Sequence, residues 1–233
     1  MYTVLLASNN DHKRREMEGI CRQLDAAITI VQPRDIGFRY DCDETGDTFA
    51  ANAWLKAWGL FRLIRGVVEP HVAVDDDPRH IVELARGAFG DELPPVLADD
   101  SGICVHALDN RPGVFSARFG DEPGRPKLDD EARNDLLLEH MRGIAERSSH
   151  YVCNACLITA EDRHIHIQET WHGAILAERR PGDTGFGYDP IVWLADYECS
   201  VAQLPSAQKD RISHRAKAVR AVAAAAGWRV DGQ

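Results

Sequence analysis

Short apolar runs alternate with segments of helical periodicity, and this alternation restricts the fold of the chain more than any other feature. Residues 2–7 form an apolar run, and the apolar residues after it are spaced as on one helix face. These are Met17, Ile20, Cys21 and Leu24. A strand near 27–32 and a helix over 47–65 are predicted next, the helix burying Ala53, Ala57, Leu60 and Ile64. Strands that alternate with helices indicate an α/β fold.

The second half of the chain continues the same two patterns. The predicted elements are a helix over 128–146, strands at 150–158, 164–177 and 191–194, and a final helix over 214–226. Residues 66–94 differ, because proline and glycine flank a short predicted helix, Ile81 to Ala88. We interpret the chain as one domain, 1–233, with an insertion at about 66–94 that has little core of its own.

The charge and hydropathy of the chain exclude several classes of function. The formal net charge is −10, from 37 acidic and 27 basic residues, which argues against a nucleic-acid polymer as partner. A small anionic substrate remains compatible, provided that a few cations and a metal ion are gathered locally. No apolar run approaches the roughly 20 residues of a membrane-spanning helix. We expect no membrane partner and a cytoplasmic location.

The cysteines are dispersed, and Cys153 and Cys156 formally match C-x-x-C. A structural zinc site needs a second such pair, which the sequence lacks. The segment is also predicted as a strand, where an offset of three residues places the thiols on opposite faces. Buried free thiols are therefore favoured over a metal or redox pair. His164 and His166 share one face of the next strand, and exposed side chains are favoured there over metal ligands.

Two acids lie side by side in the apolar stretch 96–105, VLADDSGICV. The segment Asp99-Asp100-Ser101-Gly102 has the composition of a turn between two strands. The alternative is a functional site at a strand end, since carboxylates hold Mg²⁺ and accept protons from attacking water. The residues of this stretch leave both interpretations open.

Two predicted helices begin with a cation at the end where the helix dipole disfavours it. Lys13 lies in the first turn after the cap residues of ASNNDHK, and Arg215 follows Ser213, a predicted cap of the last helix. A phosphate at a helix start would reverse the penalty, because free N–H groups bind anions there. A capped helix with a solvated lysine is the alternative at Lys13.

Two further segments have the composition of a nucleotide site. Thr48 is a predicted helix cap, and Asn52 and Lys56 share one face of the helix that follows. Lys56 either extends to water or reaches a phosphate. In TGFGYDP, residues 184–190, glycines flank an aromatic ring that is able to stack on a base, although a packed structural loop has the same composition.

Together these segments resemble the inosine triphosphate pyrophosphatase family. The resemblance covers nearly the whole chain in order, through ASNNDHKRRE, ETGDTF, NAWLKA, LADDSGICVHAL, RPGVFSARFG, GFGYDPI and ISHRAKA. It implies two α/β lobes on a long mixed sheet flanked by helices, with the active site in the cleft between the lobes, and a homodimer. It also implies Mg²⁺-dependent hydrolysis of ITP, dITP or XTP to the monophosphate and pyrophosphate, which cleanses the nucleotide pool.

The resemblance also implies a role for each matching residue. The triphosphate would be held by Ser8, Asn9, Asn10, Lys13 and Lys56. Mg²⁺ would be bound by Asp43, Glu44 and Asp100, with Asp100 as proton acceptor and Asp99 in support. The remaining substrate contacts would come from Ser101, Phe186, Gly187, Tyr188, Asp189, Lys209, His214 and Arg215.

Two features depart from the family pattern: one position, and the insertion at about 66–94, which is longer than the usual connection. Family members usually have TFxENA, whereas Ala51 stands here in place of the glutamate. Two alternatives therefore stay open: a nucleotide-binding sensor without catalysis, or the same chemistry on a modified or pyrimidine nucleotide.

Overall fold

The computed structural model describes residues 2–24 and 27–228. In this part of the chain the strands are β1 (Tyr2–Leu6), β2 (Ile28–Val31), β3 (Asp41–Cys42), β4 (Val72–Ala73), β5 (Val96–Val105), β6 (Arg111–Pro112), β7 (Ser148–Ala160), β8 (Arg163–Ile175), β9 (Val192–Leu194) and β10 (Cys199–Ser200). The α-helices are α1 (Asp11–Gln23), α2 (Phe49–Leu63), α3 (Pro78–Phe89), α4 (Asp130–His140), α5 (Ser206–Ile212) and α6 (His214–Ala225).

Most of the strands form one mixed sheet. Its order is β10-β9-β8-β7-β5-β1-β2, and β6 pairs with β5. Strand β1 runs parallel to β2 and β5, whereas β9 is antiparallel to β8 and β10. Strands β3 and β4 form a separate antiparallel pair. The predicted α/β class with a long mixed sheet is confirmed.

The structure of strand β5 corrects the interpretation of Asp99 and Asp100. We expected a strand to end near Asp99 and Asp100, either as a turn or as a site at a strand end. The structure instead has one continuous strand, in which every residue except Ser101 is buried. Because neighbouring strands satisfy the backbone polar groups, acidic side chains project from this strand without exposing its backbone. The turn alternative is wrong.

The chain divides into two compact units. The first comprises Met1–Asp100, Asn154–Gln168 and Arg215–Gln233, and the second comprises Ser101–Cys153 and Glu169–His214. Strands β5, β7 and β8 contribute residues to both units.

Each unit has its own apolar core. In the first unit the predicted face of α2 is buried, with Ala53, Ala57, Leu60 and Ile64 inaccessible to solvent. The predicted face of α1 is likewise buried at Met17, Ile20, Cys21 and Leu24. In the second unit the core combines apolar residues of β5, α4, β7, β8 and β9, among them Ile103, Leu137, Tyr151, Trp171 and Val192.

Several helix boundaries differ from the prediction. Helix α4 ends at His140 rather than near 146, since the chain turns through Gly143, whose φ is +76°. Helix α5 was not predicted, because its seven residues are too short for a clear apolar period. Helix α6 begins at His214 as expected, but Ser213 is the C-terminal cap residue of α5.

Residues 66–94 contain β4 and α3. The predicted helix at Ile81–Ala88 is present and extends to Pro78–Phe89. Ile81 and Ala85 are its buried residues, and they pack into the core of the first unit.

The cysteines of the chain are free thiols, and Cys153 and Cys156 are both buried in β7. No helix in the described ranges is both long and apolar enough to cross a bilayer.

Candidate active site

The turn from β1 into α1 is fixed by its own side chains. Asn10 is the N-terminal cap residue of α1, and its side-chain oxygen accepts hydrogen bonds from the backbone N–H groups of His12 and Lys13. The Ser8 hydroxyl oxygen accepts from Asn10 N–H at 3.2 Å, and Asn9 donates to the Tyr40 carbonyl at 2.6 Å. The predicted cap is confirmed, and Lys13 lies one turn into the helix.

Lys13 and Arg215 both pair with the buried Asp99. The Lys13 ammonium lies 3.1 Å from Asp99 Oδ2, and the Arg215 guanidinium donates to the same oxygen at 3.1 and 3.3 Å. Arg215 also forms an ion pair with Glu16. The dipole penalty at both helix starts is therefore offset by protein carboxylates.

These cations determine the charge state of Asp99. Burial opposes ionisation, but the attraction of Lys13 and Arg215 outweighs it and lowers the pKa of Asp99 well below its usual range. Asp99 is thus an anion at neutral pH that holds the first turns of α1 and α6.

Lys56 joins two other carboxylates in the same unit. Its ammonium lies 2.9 Å from Glu44 Oε1 and 3.0 Å from Asp100 Oδ1. Asn52, one turn before it on α2, donates to Asp100 Oδ2 at 3.3 Å and accepts from Gly46 N–H at 2.8 Å. The predicted face of α2 therefore contacts Asp100 through both of its polar residues.

Asp99 and Asp100 differ in their electrostatics although they are adjacent in sequence. Burial raises the pKa of Asp100, and the nearby Lys56 and Lys13 only partly counteract it. Burial alone would lower the pKa of Lys56, but Asp100 and Glu44 raise it, so the ammonium stays charged. Adjacent carboxyl groups whose pKa values are shifted in opposite directions are suited to different tasks, one as a fixed anion and one as a base.

The pair of Glu44 and Asp100 fits a divalent cation. Both carboxylates converge on a single positive group, and Mg²⁺ in nucleotide enzymes is typically bound by one or two carboxylates together with water and phosphate. Within residues 2–24 and 27–228, no three His, Cys, Asp or Glu side chains are grouped so that they would hold a metal by themselves.

Asp43 does not join this pair. Its side chain is exposed, and the structure ties the residue to β4 through a backbone hydrogen bond to the His71 carbonyl. Of the two acids predicted in this segment, Glu44 is the one that contacts Lys56.

A second cluster, in the second unit, is organised around the buried carboxylate of Asp189. Asp189 Oδ2 accepts from the Lys209 ammonium at 2.6 Å and from Phe186 N–H at 2.9 Å, and Oδ1 accepts from the Tyr151 hydroxyl at 3.0 Å. The Lys209 ammonium also lies 4.9 Å from the centroid of the Phe186 ring. The loop of residues 184–190, the aromatic loop, is therefore held by the buried carboxylate of Asp189.

Tyr188, Gly187 and His214 belong to the same unit. The buried Tyr188 donates its hydroxyl to the Ser116 carbonyl at 2.9 Å, and the Gly187 carbonyl accepts from Asn134 at 3.0 Å. His214 lies parallel to the Tyr151 ring, with centroids 4.8 Å apart and an interplanar angle of 7°. Ser101 is the one partly exposed residue of β5. Tyr188 faces the protein interior, so the half-buried Phe186 is the more accessible ring of the loop.

The other predicted candidates have local partners. His166 accepts or donates a hydrogen bond with Asn154 at 3.2 Å and stacks on Trp54, and the exposed His164 meets the edge of that indole. Both histidines thus pack against an aromatic side chain.

The model of the Ham1 family matches residues 4–225. The chain belongs to the Ham1 family. Among curated relatives, the dITP/XTP pyrophosphatase of Treponema denticola is 35% identical over 93% of this chain and 94% of its own length. The dITP/XTP pyrophosphatase of Nitrosomonas europaea is 36% identical over 94% of this chain and 91% of its own.

Solved Ham1 structures agree with this assignment. The HAM1 protein of Coxiella burnetii superposes with a TM-score of 0.71 and 30% identity, covering 97% of this chain and 99% of its own. The nucleoside-triphosphatase, dITP/XTP pyrophosphatase, of Mycobacterium abscessus has a TM-score of 0.61 and 30% identity, with 94% and 97% covered.

Ala51, which stands in place of the family glutamate, lies close to the backbone at Gly46. Ala51 N–H donates to the Thr48 hydroxyl oxygen, which caps α2 as predicted. A Cβ added to Gly46 would lie 2.7 Å from both Ala51 Cβ and Asn52 Oδ1. The segment 43–46 therefore approaches α2 closely. Glu44 reaches Lys56 without a second acid at position 51.

The sequence interpretation missed three contributors to these clusters. Glu16 follows Lys13 by three residues, a helical spacing that places both on one face of α1. Asn52 was placed beside Lys56 but assigned no contact with Asp100. Tyr151 gave no signal, because a tyrosine in an apolar strand is usually a core residue.

Proposed function

We propose that this Ham1-family chain hydrolyses non-standard purine nucleoside triphosphates, namely dITP, XTP and ITP, to the monophosphate and pyrophosphate. The observation that carries the proposal is the buried Asp100 carboxylate, with a raised pKa, beside Glu44 and Lys56. The names of the curated relatives, dITP/XTP pyrophosphatase, support the same substrate class.

In the proposed reaction Asp100 is the general base. It accepts a proton from the attacking water as the water oxygen bonds to the α-phosphorus and the bond to the bridging α,β-oxygen breaks. The leaving group is pyrophosphate. A raised pKa strengthens Asp100 as a base, and the neighbouring Asp99 stays ionised through Lys13 and Arg215.

The phosphates are assigned to the turn between β1 and α1. Ser8, Asn9 and Asn10 hold the start of α1 in place, and the N-terminus of a helix favours anions. Lys13 and Lys56 supply positive charge that is already gathered in this unit. Neutralisation of the leaving group by fixed cations is the main form of acceleration expected for such a reaction.

Glu44 and Asp100 are the proposed ligands of Mg²⁺. When bound there, Mg²⁺ would neutralise phosphate charge and polarise oxygen atoms. Asp43 is exposed and is assigned at most an indirect part.

Recognition of the base is assigned to Phe186, Lys209 and His214, and Asp189 supports Phe186 and Lys209. Ser101 and Arg215 are further proposed substrate contacts. A carbonyl at C6 of the purine accepts hydrogen bonds, whereas the amine of adenine leaves the same donors unpaired. This difference is the proposed reason for selecting oxopurines.

Pyrophosphate release from dITP, XTP, ITP, dATP and dTTP, measured with Mg²⁺, tests the function. We expect release from the first three substrates to exceed release from dATP and dTTP by about 100-fold, as expected when buried donors lose their partner. Faster release from a pyrimidine or adenine nucleotide would contradict the proposed base. Binding of dITP without any release would instead identify a sensor.

A further inference from the structure

Tyr151 contacts two residues to which the proposed function assigns substrate recognition, although it comes from neither of their segments. Its hydroxyl donates to Asp189 Oδ1 at 3.0 Å, and its ring is parallel to that of His214 at 4.8 Å. Tyr151 lies on β7 and is itself buried. A single strand residue therefore contacts both the aromatic loop and the start of α6.

The bond to Asp189 fixes the orientation of its carboxylate. Oδ2 is already shared by Lys209 and by Phe186 N–H, so the bond from Tyr151 to Oδ1 restrains rotation of the group. Gly185 and Gly187 have φ values of +91° and +60°, a region of backbone conformation that glycine adopts without the strain of a side chain. The position of the Lys209 ammonium beside the Phe186 ring depends on this carboxylate.

The ring of Tyr151 orients His214 by stacking. Trp171 stacks on the same imidazole, with centroids 6.2 Å apart and an interplanar angle of 23°. Tyr151 and Trp171 also contact each other at 6.1 Å. Two aromatic rings with defined planes thus restrict the tilt of the imidazole ring.

We propose that Tyr151 is a positioning residue for base recognition, acting on Asp189 through its hydroxyl and on His214 through its ring. The inference rests on the proposed function for its role in selecting the base, and on the contacts alone for its role in orienting His214. The roles of the hydroxyl and of the ring can be tested separately, because Tyr151→Phe keeps the ring and removes the hydroxyl.

Kinetics of Tyr151→Phe test the hydroxyl. Losing one hydrogen bond to a carboxylate should lower kcat/KM for dITP by about three- to tenfold, through KM rather than kcat. The preference for dITP over dATP should fall with it. Tyr40→Phe is the matched control: it removes a buried hydroxyl that donates to the Lys56 carbonyl at 2.7 Å, in the cluster assigned to phosphates, so the preference should stay unchanged.

The NMR position of the His214 Hε1 resonance tests the ring. Stacking shifts this resonance upfield, so Tyr151→Leu should move it downfield, while Tyr151→Phe should leave it in place. A proportional loss for dITP and dATP in Tyr151→Phe, or unchanged kinetics, would overturn the role in base selection. An unmoved resonance in Tyr151→Leu would overturn the orienting role, even if the wild-type protein released no pyrophosphate and the proposed function failed.

Discussion

At the scale of residues, the different surroundings of Asp99 and Asp100 explain how two adjacent acids supply a fixed anion and the proposed general base. Asp99 faces Lys13 and Arg215, whereas Asp100 faces Lys56 and Asn52. Successive side chains of a strand point to opposite faces, so neighbours in the sequence acquire different partners. The same pair of acids in a turn would share one solvated environment.

Replacing either acid should therefore give different results. Asp100→Asn should lower kcat by about 100- to 10,000-fold, the range for loss of a general base, and should cost less stability than Asp99→Asn because Lys56 keeps Glu44 as a partner. Asp99→Asn should lower the free energy of unfolding by about 3–5 kcal/mol, because two cations lose their buried partner. Pyrophosphate release and urea unfolding measure the two effects. Normal turnover in Asp100→Asn would contradict the assignment of the base.

Lys56→Met should tighten metal binding while it slows hydrolysis. In the protein, the ammonium compensates Glu44 and Asp100, and under the proposed function a divalent cation competes with it for these carboxylates. Without Lys56, we expect the Kd for Mn²⁺, measured by calorimetry without nucleotide, to fall roughly tenfold. Turnover should fall because the variant loses a cation that is assigned to the phosphates of the substrate.

Lys209→Met is the control for this prediction. It removes an ammonium with similar burial, 4% exposed against 8% for Lys56, from the single carboxylate of Asp189. It should destabilise the protein without tightening Mn²⁺ binding. Equal Kd values in the wild type and Lys56→Met would show that the two cations do not compete.

Much of the candidate site was predictable from residue types, and its exceptions have physical causes. Lys13, Glu44, Lys56, Asp99, Asp100 and Arg215 are brought together in the first unit. The pairing of Arg215 with Asp99 was not predictable, because 116 residues separate them and an anionic ligand explained the arginine equally well. Tyr151 was missed because its hydroxyl partner lies in a distant loop.

At the scale of elements, the buried faces of two helices were predictable from the sequence, whereas the continuity of strand β5 was not. The helix faces of α1 and α2 were predicted correctly, since their apolar period is long and regular. Strand β5 was divided in the prediction because paired acids and a glycine have the composition of a turn. The position of β5 inside the sheet, between β7 and β1, overrides that local preference.

Gly102 has a packing role in β5 that alanine cannot fill. An added Cβ would lie 2.4 Å from Ser116 Oγ and 2.5 Å from the Gly113 carbonyl oxygen. Gly102→Ala should lower the free energy of unfolding by about 1–3 kcal/mol, the usual cost of overpacking. Thermal and urea unfolding measure it.

Gly87→Ala provides the comparison in α3. Apart from its chain neighbours and the local helix backbone, no atom lies within 4 Å of the position of an added Cβ, so alanine should stabilise the helix by about 0.5–1 kcal/mol. A tolerated Gly102→Ala would mean that the segment 113–118 shifts away from β5 without cost.

At the scale of the whole molecule, stability should fall as the solution is acidified below neutral pH. Burial lowers the pKa of His150 and of His166 from the usual 6.5, with additional repulsion from His106 and His164 respectively. The unfolded chain therefore binds protons at a higher pH than the folded chain. Stability is complete above about pH 6.5 and decreases as pH falls below it.

Urea unfolding at pH 7.5, 6.5 and 5.5 measures this dependence. The variant carrying His150→Gln and His166→Gln should show a flatter profile over the same range. A wild-type profile that is level between pH 7.5 and 5.5 would contradict the lowered pKa of these half-buried histidines.

The alternation of the two units along the chain has a consequence during synthesis on the ribosome. Asp99 lies at the end of the first segment of the first unit, but its partner Arg215 belongs to α6, which is translated after both segments of the second unit. Until α6 leaves the ribosomal exit tunnel, the nascent chain holds the carboxylate without its guanidinium. The ion pair between Asp99 and Arg215 thus forms only after α6 has been made, and a product that terminates before Arg215 lacks it.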